Sequence, residues 1–312
     1  MKQLLTAAGL ALLFSACSVN YEKTKSGIAY KIFKGKGGEK LKAGEYVKFN
    51  ADIRIIERDT TLNTTMGRVP AYAMVDTSKR TEYSFMEIIS KCSVGDSTVF
   101  ILSVDSLIKR NMINPADKSF KKGDRITCKI KILKAFKSEQ DVEPDYKQES
   151  ELEKAREIKE VEKYLADKGI KAEKTKNGAF VEVQSAGEGI KAETGKEASV
   201  MYRGYLMTNN SSVFDTNMDS TKGHTDPYKV QVGTGSVIPG WEEALPYFGK
   251  GGKGRIFVPA MLAYGMQARP EIPAYSNLIF DIEVKDVNAP APPPAAAPAV
   301  PGLPGGGQGQ SH

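Results

Sequence analysis

Two histidines, three cysteines and one tryptophan in 312 residues leave little material for several common chemistries. His224 sits in a polar stretch and His312 in a Gly/Gln-rich one, so a histidine-ligated metal or a histidine-based triad has almost nothing to draw on. Basic runs with interleaved aromatics are also missing. The 44 Lys and Arg are scattered among 38 Asp and Glu, for a net charge of +6, and no nucleic-acid partner is expected from that pattern. Hydrophobic content of 40% with 26% charged residues fits soluble globular domains, and the length suffices for two, each with its own core.

Long apolar runs are scarce too. Residues 1–17 read MKQLLTAAGLALLFSAC, one Lys before an apolar run too short to span a bilayer. Leu13-Phe14-Ser15-Ala16-Cys17 resembles a bacterial lipobox. That resemblance implies a lipoprotein signal peptide over 1–17 that ends at a lipidated Cys17. Several acyl chains on one residue would anchor the protein to a lipid membrane. Ser18, where Asp would signal inner-membrane retention, favours the bacterial cell envelope at the outer membrane, facing the periplasm. The other reading is a secreted protein with an incidental Cys. Setting Cys17 aside, Cys92 and Cys128 remain, and a disulfide or two free thiols are both open.

Along the chain, residues 26–136 form a first domain. Strands are expected at Tyr30–Phe33, Val47–Phe49, Thr98–Leu102 and Ile126–Ile132, with a short amphipathic helix at Phe85–Ile89 and a long polar loop or flap from Asp59 to Arg80. Residues 144–169 read as a charged linker helix that starts at Pro144 and is capped by Gly169. Its drifting apolar stripe (Leu152, Ala155, Ile158, Val161, Tyr164, Leu165) suits a spacer, packing on one domain, or a homodimer through 144–168. Residues 175–288 form a second domain. Residues 289–312 are Pro/Ala- and then Gly/Gln-rich, a composition expected to stay disordered.

The two domains repeat one another. GKEASVMYRGYL from Gly195 parallels AGEYVKFNADI from Ala43, GKGRIFV from Gly252 parallels GDSTVFI from Gly95, and the alternation at 277–284 matches 125–132. The feature peculiar to the second copy is Val237-Ile238-Pro239-Gly240-Trp241-Glu242, which holds the single Trp, followed by Ala263-Tyr264-Gly265. An aromatic cluster without nucleophile or metal ligands points to a hydrophobic binding pocket.

With VMYRGYL, Phe214-Asp215, Ile272-Pro273 and Leu278-Ile279-Phe280-Asp281-Ile282-Glu283 in the same order and spacing, the second domain resembles the FKBP family of peptidyl-prolyl cis–trans isomerases. The resemblance implies an α+β fold: two FKBP-like modules, each an antiparallel sheet wrapped around a short helix, joined by the charged helix. It implies catalytic roles for Tyr202, Phe214, Asp215, Ile238, Trp241, Tyr264 and Phe280, and substrate binding by Tyr228, Val237 and Ile272. Substrates would be proline-containing unfolded or partly folded polypeptides, and no cofactor or metal is needed. Tyr228 stands where the family usually has Phe, and the chain is one residue short around Arg269.

In the first module, aligning Gly95 with Gly252 sets Ser84 or Phe85 at Trp241, Arg80-Thr81 at Val237-Ile238, Phe49 at Tyr202 and Cys128 at Phe280. It reads as a degenerate, inactive copy that binds clients, positions the active module or mediates assembly. The alternative to an isomerase is a non-catalytic chaperone for proline segments, or an envelope scaffold protein.

Overall fold

The computed structural model describes residues 20–289; Cys17 and the segment beyond residue 289 lie outside the described residues. The chain divides into two compact units, with the boundary between Glu151 and Leu152.

In the first unit β1 (Glu22–Lys23), β2 (Ala29–Phe33), β3 (Tyr46–Ile55), β4 (Thr60–Thr64) and β5 (Ala71–Met74) precede a short helix α1 (Phe85–Ile89). After it come β6 (Ser97–Ser103), α2 (Val104–Lys109) and β7 (Arg125–Phe136). All seven strands form one antiparallel sheet in the order β1-β2-β6-β7-β3-β4, with β5 also on β3. Alternation along β6 and β7 turns Thr98, Phe100, Leu102, Ile126, Cys128, Ile130 and Ile132 inward, onto Met86, Ile88 and Ile89 of α1.

Residues 59–80, expected to be a loop or flap, contribute β4 and β5. Both are held by hydrogen bonds to β3 and bury little, so the apolar alternation that betrays a half-buried strand is absent from them.

Helix α3 (Glu139–Lys168) starts five residues before Pro144, the start expected from the sequence. Asp141 marks its start: its Oδ2 accepts from the Ser138 backbone N–H and hydroxyl at 3.2 and 2.8 Å, the side-chain half of a capping box upstream of Pro144. At the other end Gly169 (φ 64°) closes the helix, and the Ile170 N–H reaches back to the Leu165 carbonyl at 2.9 Å. The first half of α3 belongs to the first unit, where Asp145 accepts from Lys48, Tyr72 and Lys134. The second half belongs to the second unit, where Val161 and Leu165 pack on Phe180, Tyr205, Phe257 and Ile279. The apolar stripe is thus spent within the chain, apart from Leu152, which is 59% exposed, and Ala155, also exposed.

The second unit contains β8 (Glu173–Lys174), β9 (Phe180–Ser185), β10 (Glu188–Lys191), β11 (Glu197–Leu206), β12 (Asn209–Thr216), β13 (Tyr228–Gln231), α4 (Pro239–Ala244), β14 (Gly249–Lys250), β15 (Lys253–Val258) and β16 (Leu278–Asn288). Its main sheet runs β8-β9-β15-β16-β11-β12, with β13 also on β11, and β10 pairs with β14 separately. This is the strand order of the first unit, element for element, so the sequence repeat is a repeat of topology and both units are α+β.

The register shows how the copies align. Each central strand follows a glycine of positive φ (Gly44, 85°; Gly195, 84°) and meets one bulge in its long partner, at Leu133 of β7 opposite Lys48/Phe49 and at Lys285 of β16 opposite Ser199/Val200. Tyr202 therefore corresponds to Ala51, not to Phe49, while Gly204 corresponds to Ile53 and Phe280 to Cys128. Gly95 and Gly251 both donate to equivalent carbonyls, Ile132 and Val284, so Gly95 matches Gly251 rather than Gly252. Trp241 then falls on Phe85.

Candidate functional site

The inner face of the second sheet wraps α4. Ile238 is the N-cap of that helix and Pro239 its first residue, where a missing N–H costs nothing. Gly240 lets the helix lie close to β15: a Cβ there would sit 2.4 Å from Val258 Cγ1. Glu242, one turn in, accepts from the Gly233 and Gly235 N–H groups at 2.5 and 2.9 Å. That fixes the loop delivering Ser236, Val237 and Ile238. Ala244, Leu245 and Phe248 are fully buried beneath, so the helix start is the part left facing out.

There a cavity of about 480 Å³ opens, a size usual for ligand pockets. Tyr202, Phe214, Asp215, Tyr228, Val237, Ile238, Trp241, Tyr264 and Phe280 line it, which brings nine of the ten sequence-predicted pocket residues together. Ile272 is the exception. It is 5% exposed and packs in the core beneath the cavity. Ser236, Ala263 and Arg269 also line the cavity.

Trp241, 4% exposed, forms the floor, with Phe280 and Tyr202 edge-on at 5.3 and 5.4 Å between ring centroids. Phe214 stands edge-on to Phe280 at 5.7 Å. These T-shaped contacts set positive ring edges against negative faces and hold the walls in one arrangement. The indole N–H is buried without a hydrogen-bond partner among the described residues.

Polar groups gather at the mouth. The Tyr202 hydroxyl donates to Asp215 Oδ2 at 2.6 Å, and burial followed by this bond raises the phenol above its ordinary range. Burial also raises Tyr264. His224 lies with its Nε2 3.2 Å from Asp215 Oδ1 and its ring 6.3 Å from Tyr202, so it is more than the solvated loop residue its sequence setting implied.

Asn217, which sequence reasoning passed over, is fully buried. It accepts from the Tyr202 N–H at 2.6 Å and donates to the Val200 and Asp226 carbonyls at 3.0 and 2.9 Å. It fixes Tyr202 and the loop bearing His224 together, and Asn in a Thr-Asn-Met run carries no sequence signal for that. Gly204 was missed as well. A Cβ there would lie 2.6 Å from Phe214 Cζ and 2.8 Å from Phe280 Cε1, so the two rings meet over a bare backbone.

Two donors on lining residues are unspent. Neither the Ile238 N–H nor the Tyr264 hydroxyl makes a hydrogen bond among the described residues. Aromatic walls with two open donors can hold a compact apolar ring and its neighbouring carbonyls. The first unit has Ala51, Ile53 and Cys128 at the corresponding sheet positions, and its Phe85 is 40% exposed, so the pieces of this cavity are not repeated there.

Residues 188–285 match the family described as FKBP-type peptidyl-prolyl cis-trans isomerase. The chain is 37% identical over 114 residues to FK506-binding protein 4 of Chaetomium thermophilum, covering 36% of this chain and 22% of that protein. It is 36% identical over 137 residues to the FKBP-type peptidyl-prolyl cis-trans isomerase FkpA of Escherichia coli, covering 44% of this chain and 47% of that protein. The crystal structure of FkpA from Escherichia coli is similar at a TM-score of 0.37 and 31% identity, over 49% of this chain and 69% of that one. The chain thus spans from 22% to 47% of the length of these two curated relatives. Through residues 188–285, which carry the whole of the cavity, the chain belongs to the FKBP-type peptidyl-prolyl cis–trans isomerase family.

Proposed function

We propose that the protein catalyses cis–trans isomerisation of X–Pro bonds in proline-containing, unfolded or partly folded polypeptides. The observation that carries this reading is the aromatic cavity with the Ile238 N–H and Tyr264 hydroxyl left open at its mouth.

Peptide resonance sets a barrier of about 18–20 kcal/mol, and uncatalysed X–Pro isomerisation takes roughly tens to hundreds of seconds. Twisting the bond removes the resonance and lowers its charge separation. A dry aromatic pocket therefore favours the twisted state over the planar, more polar one. In this reading Trp241 floors the prolyl ring, and Tyr202, Phe214 and Phe280 wall it. Tyr228 and Val237 line the approach, and Ile272 supports from the core. The Ile238 N–H and Tyr264 O–H hold substrate carbonyls, and Asp215, braced by Tyr202 and His224, tunes polarity at the edge. No covalent step or cofactor is required.

The residues 26–136, 144–169 and 175–288 serve as a non-catalytic FKBP-like module, a linking helix and the catalytic module. Cys17, by its lipobox resemblance, carries the acyl anchor that holds the protein in the bacterial envelope at the outer membrane. Intact mass of protein from membranes reads that modification. A homodimer through 144–168 would rest on the exposed Tyr146, Leu152 and Ala155, and sedimentation tests it.

The deciding experiment is a prolyl-peptide isomerisation assay on the full chain. Activity that falls about tenfold in Asp215→Ala and in Tyr264→Phe is expected, since a hydrogen bond to a charged or strained group is worth about 1.5 kcal/mol or more. Absence of activity in a folded wild type sinks the proposal.

A further inference from the structure

The cavity mouth has a charge arrangement that its prolyl ring site does not call for. Arg269 lines the cavity, and its guanidinium lies over the Tyr264 ring, 4.6 Å from the centroid. The turn that carries it is braced. The Arg269 N–H donates to the Ile272 carbonyl at 2.8 Å and the Ile272 N–H returns to Arg269 at 3.0 Å. Glu271, at φ 65°, is held to Lys222 by an ion pair of 2.6 Å.

The other charged groups nearby have partners of their own. Asp215, an anionic carboxylate on the same cavity, accepts from the Tyr202 hydroxyl and lies against His224, and Glu271 and Lys222 pair with each other. Among the described residues no carboxylate pairs with Arg269. A cation with no ion-pair partner among the described residues therefore lies over the ring of Tyr264, whose hydroxyl is one of the two donors available to substrate carbonyls.

Resting on the isomerase reading above, we propose that Arg269 is a specificity-determining residue, which makes the site select proline segments with an acidic side chain next to the proline. Anchoring on Tyr264 spares most of the ordering entropy a free arginine would lose. The half-exposed mouth keeps the attraction modest and sensitive to salt.

The test uses the full chain and peptides of the form Ala-Xaa-Pro-Phe and Ala-Ala-Pro-Xaa with Xaa as Glu, Leu or Lys. The quantity read is the ratio of kcat/KM for the Glu peptide to that for the Lys peptide. At low salt this ratio is expected to be about three to ten, combining one attraction and one repulsion of an exposed pair. It falls towards one at about 0.5 M salt, where the Debye length is only a few ångström. Arg269→Lys keeps it, Arg269→Gln abolishes it and Arg269→Glu inverts it. A merely structural arginine would change both peptides alike. A ratio near one in the wild type, or one unmoved by Arg269→Glu, overturns the inference. If no peptide is turned over, the isomerase reading fails instead, and titration of the same peptides by Trp241 fluorescence reads the same ratio in Kd.

Discussion

Replacing Gly204 with Ala probes the cavity from behind, without touching a polar group. The backbone there is an ordinary strand paired with β12 and β16, so alanine meets no conformational penalty. Its methyl would lie 2.6 and 2.7 Å from Phe214 Cζ and Cε2, and 2.8 Å from Phe280 Cε1. Relaxed carbon contacts are roughly 3.5–4.0 Å, so both rings must retreat by about 1 Å. Overpacking of that kind costs about 1–3 kcal/mol, while losing a glycine from the unfolded chain returns about 0.4–1 kcal/mol. The net expectation is about 1–2 kcal/mol of destabilisation in the second unit. Activity should suffer more. Phe280 is edge-on to Trp241 at 5.3 Å, so its retreat opens the floor–wall contact, and a displacement of about 1 Å in a reacting site can cost on the order of 100-fold. We expect kcat/KM for a prolyl peptide to fall about 10- to 100-fold. Trp241, the single Trp, lets urea unfolding of this unit be followed by fluorescence alone. A variant that keeps wild-type kcat/KM would refute the account of the walls, whatever its stability. The first unit has already made a larger version of this change, with Ile53 at the equivalent position.

Asp145 should set the acid response of the first unit. Burial raises its carboxyl, but hydrogen bonds from Lys48, Tyr72 and Lys134 outweigh burial and hold it at about 2, against an ordinary 3.8. A folded value below the unfolded one stabilises above the unfolded pKa and is lost as pH falls through the folded one. Asp145→Asn should therefore cost about 2 kcal/mol at neutral pH, with the gap to wild type closing between about pH 4 and pH 2 in circular-dichroism melts; a gap independent of pH would contradict it. Cys92 and Cys128 are free and buried, and burial pushes both thiols up to about 12. Intact mass after alkylation should show neither labelled in the folded protein and both labelled in denaturant without reductant. A disulfide would show as resistance in denaturant as well.

Much of the site was legible in one dimension because it is built from a contiguous helix start and from strands with plain alternation. Val237–Trp241 lead into a short helix, Tyr202 and Phe280 alternate inward on β11 and β16, and it was the resemblance these motifs carry to the FKBP family that named nine lining residues in advance. β4 and β5 were not legible, because main-chain bonds to β3 hold them, while the side chains of β4 stay largely exposed and those of β5 are mostly half-buried, small residues among them. The start of α3 was misplaced because Pro144 is a stronger local signal than the Ser138–Asp141 cap that overrides it.

What the residues alone determined is the pattern: two copies of one module, and a pocket motif kept in the second. What the tertiary structure decided is register and partnership. The pairing of β3 with β7 and of β11 with β16 shifts register at the same step in both copies, so the two strands correspond residue for residue from Gly44 and Gly195 onward. That puts Ala51, two residues beyond Phe49 on the same face, at the place of Tyr202. Partnership depends on how loops and strand pairing turn side chains onto one another: His224 and Tyr202 on Asp215, Asn217 behind Tyr202, and Arg269 on Tyr264 without a carboxylate of its own. Hydrogen bonds and charges act over a few ångström of space, whatever the number of residues between them, and so only the folded chain could assign them.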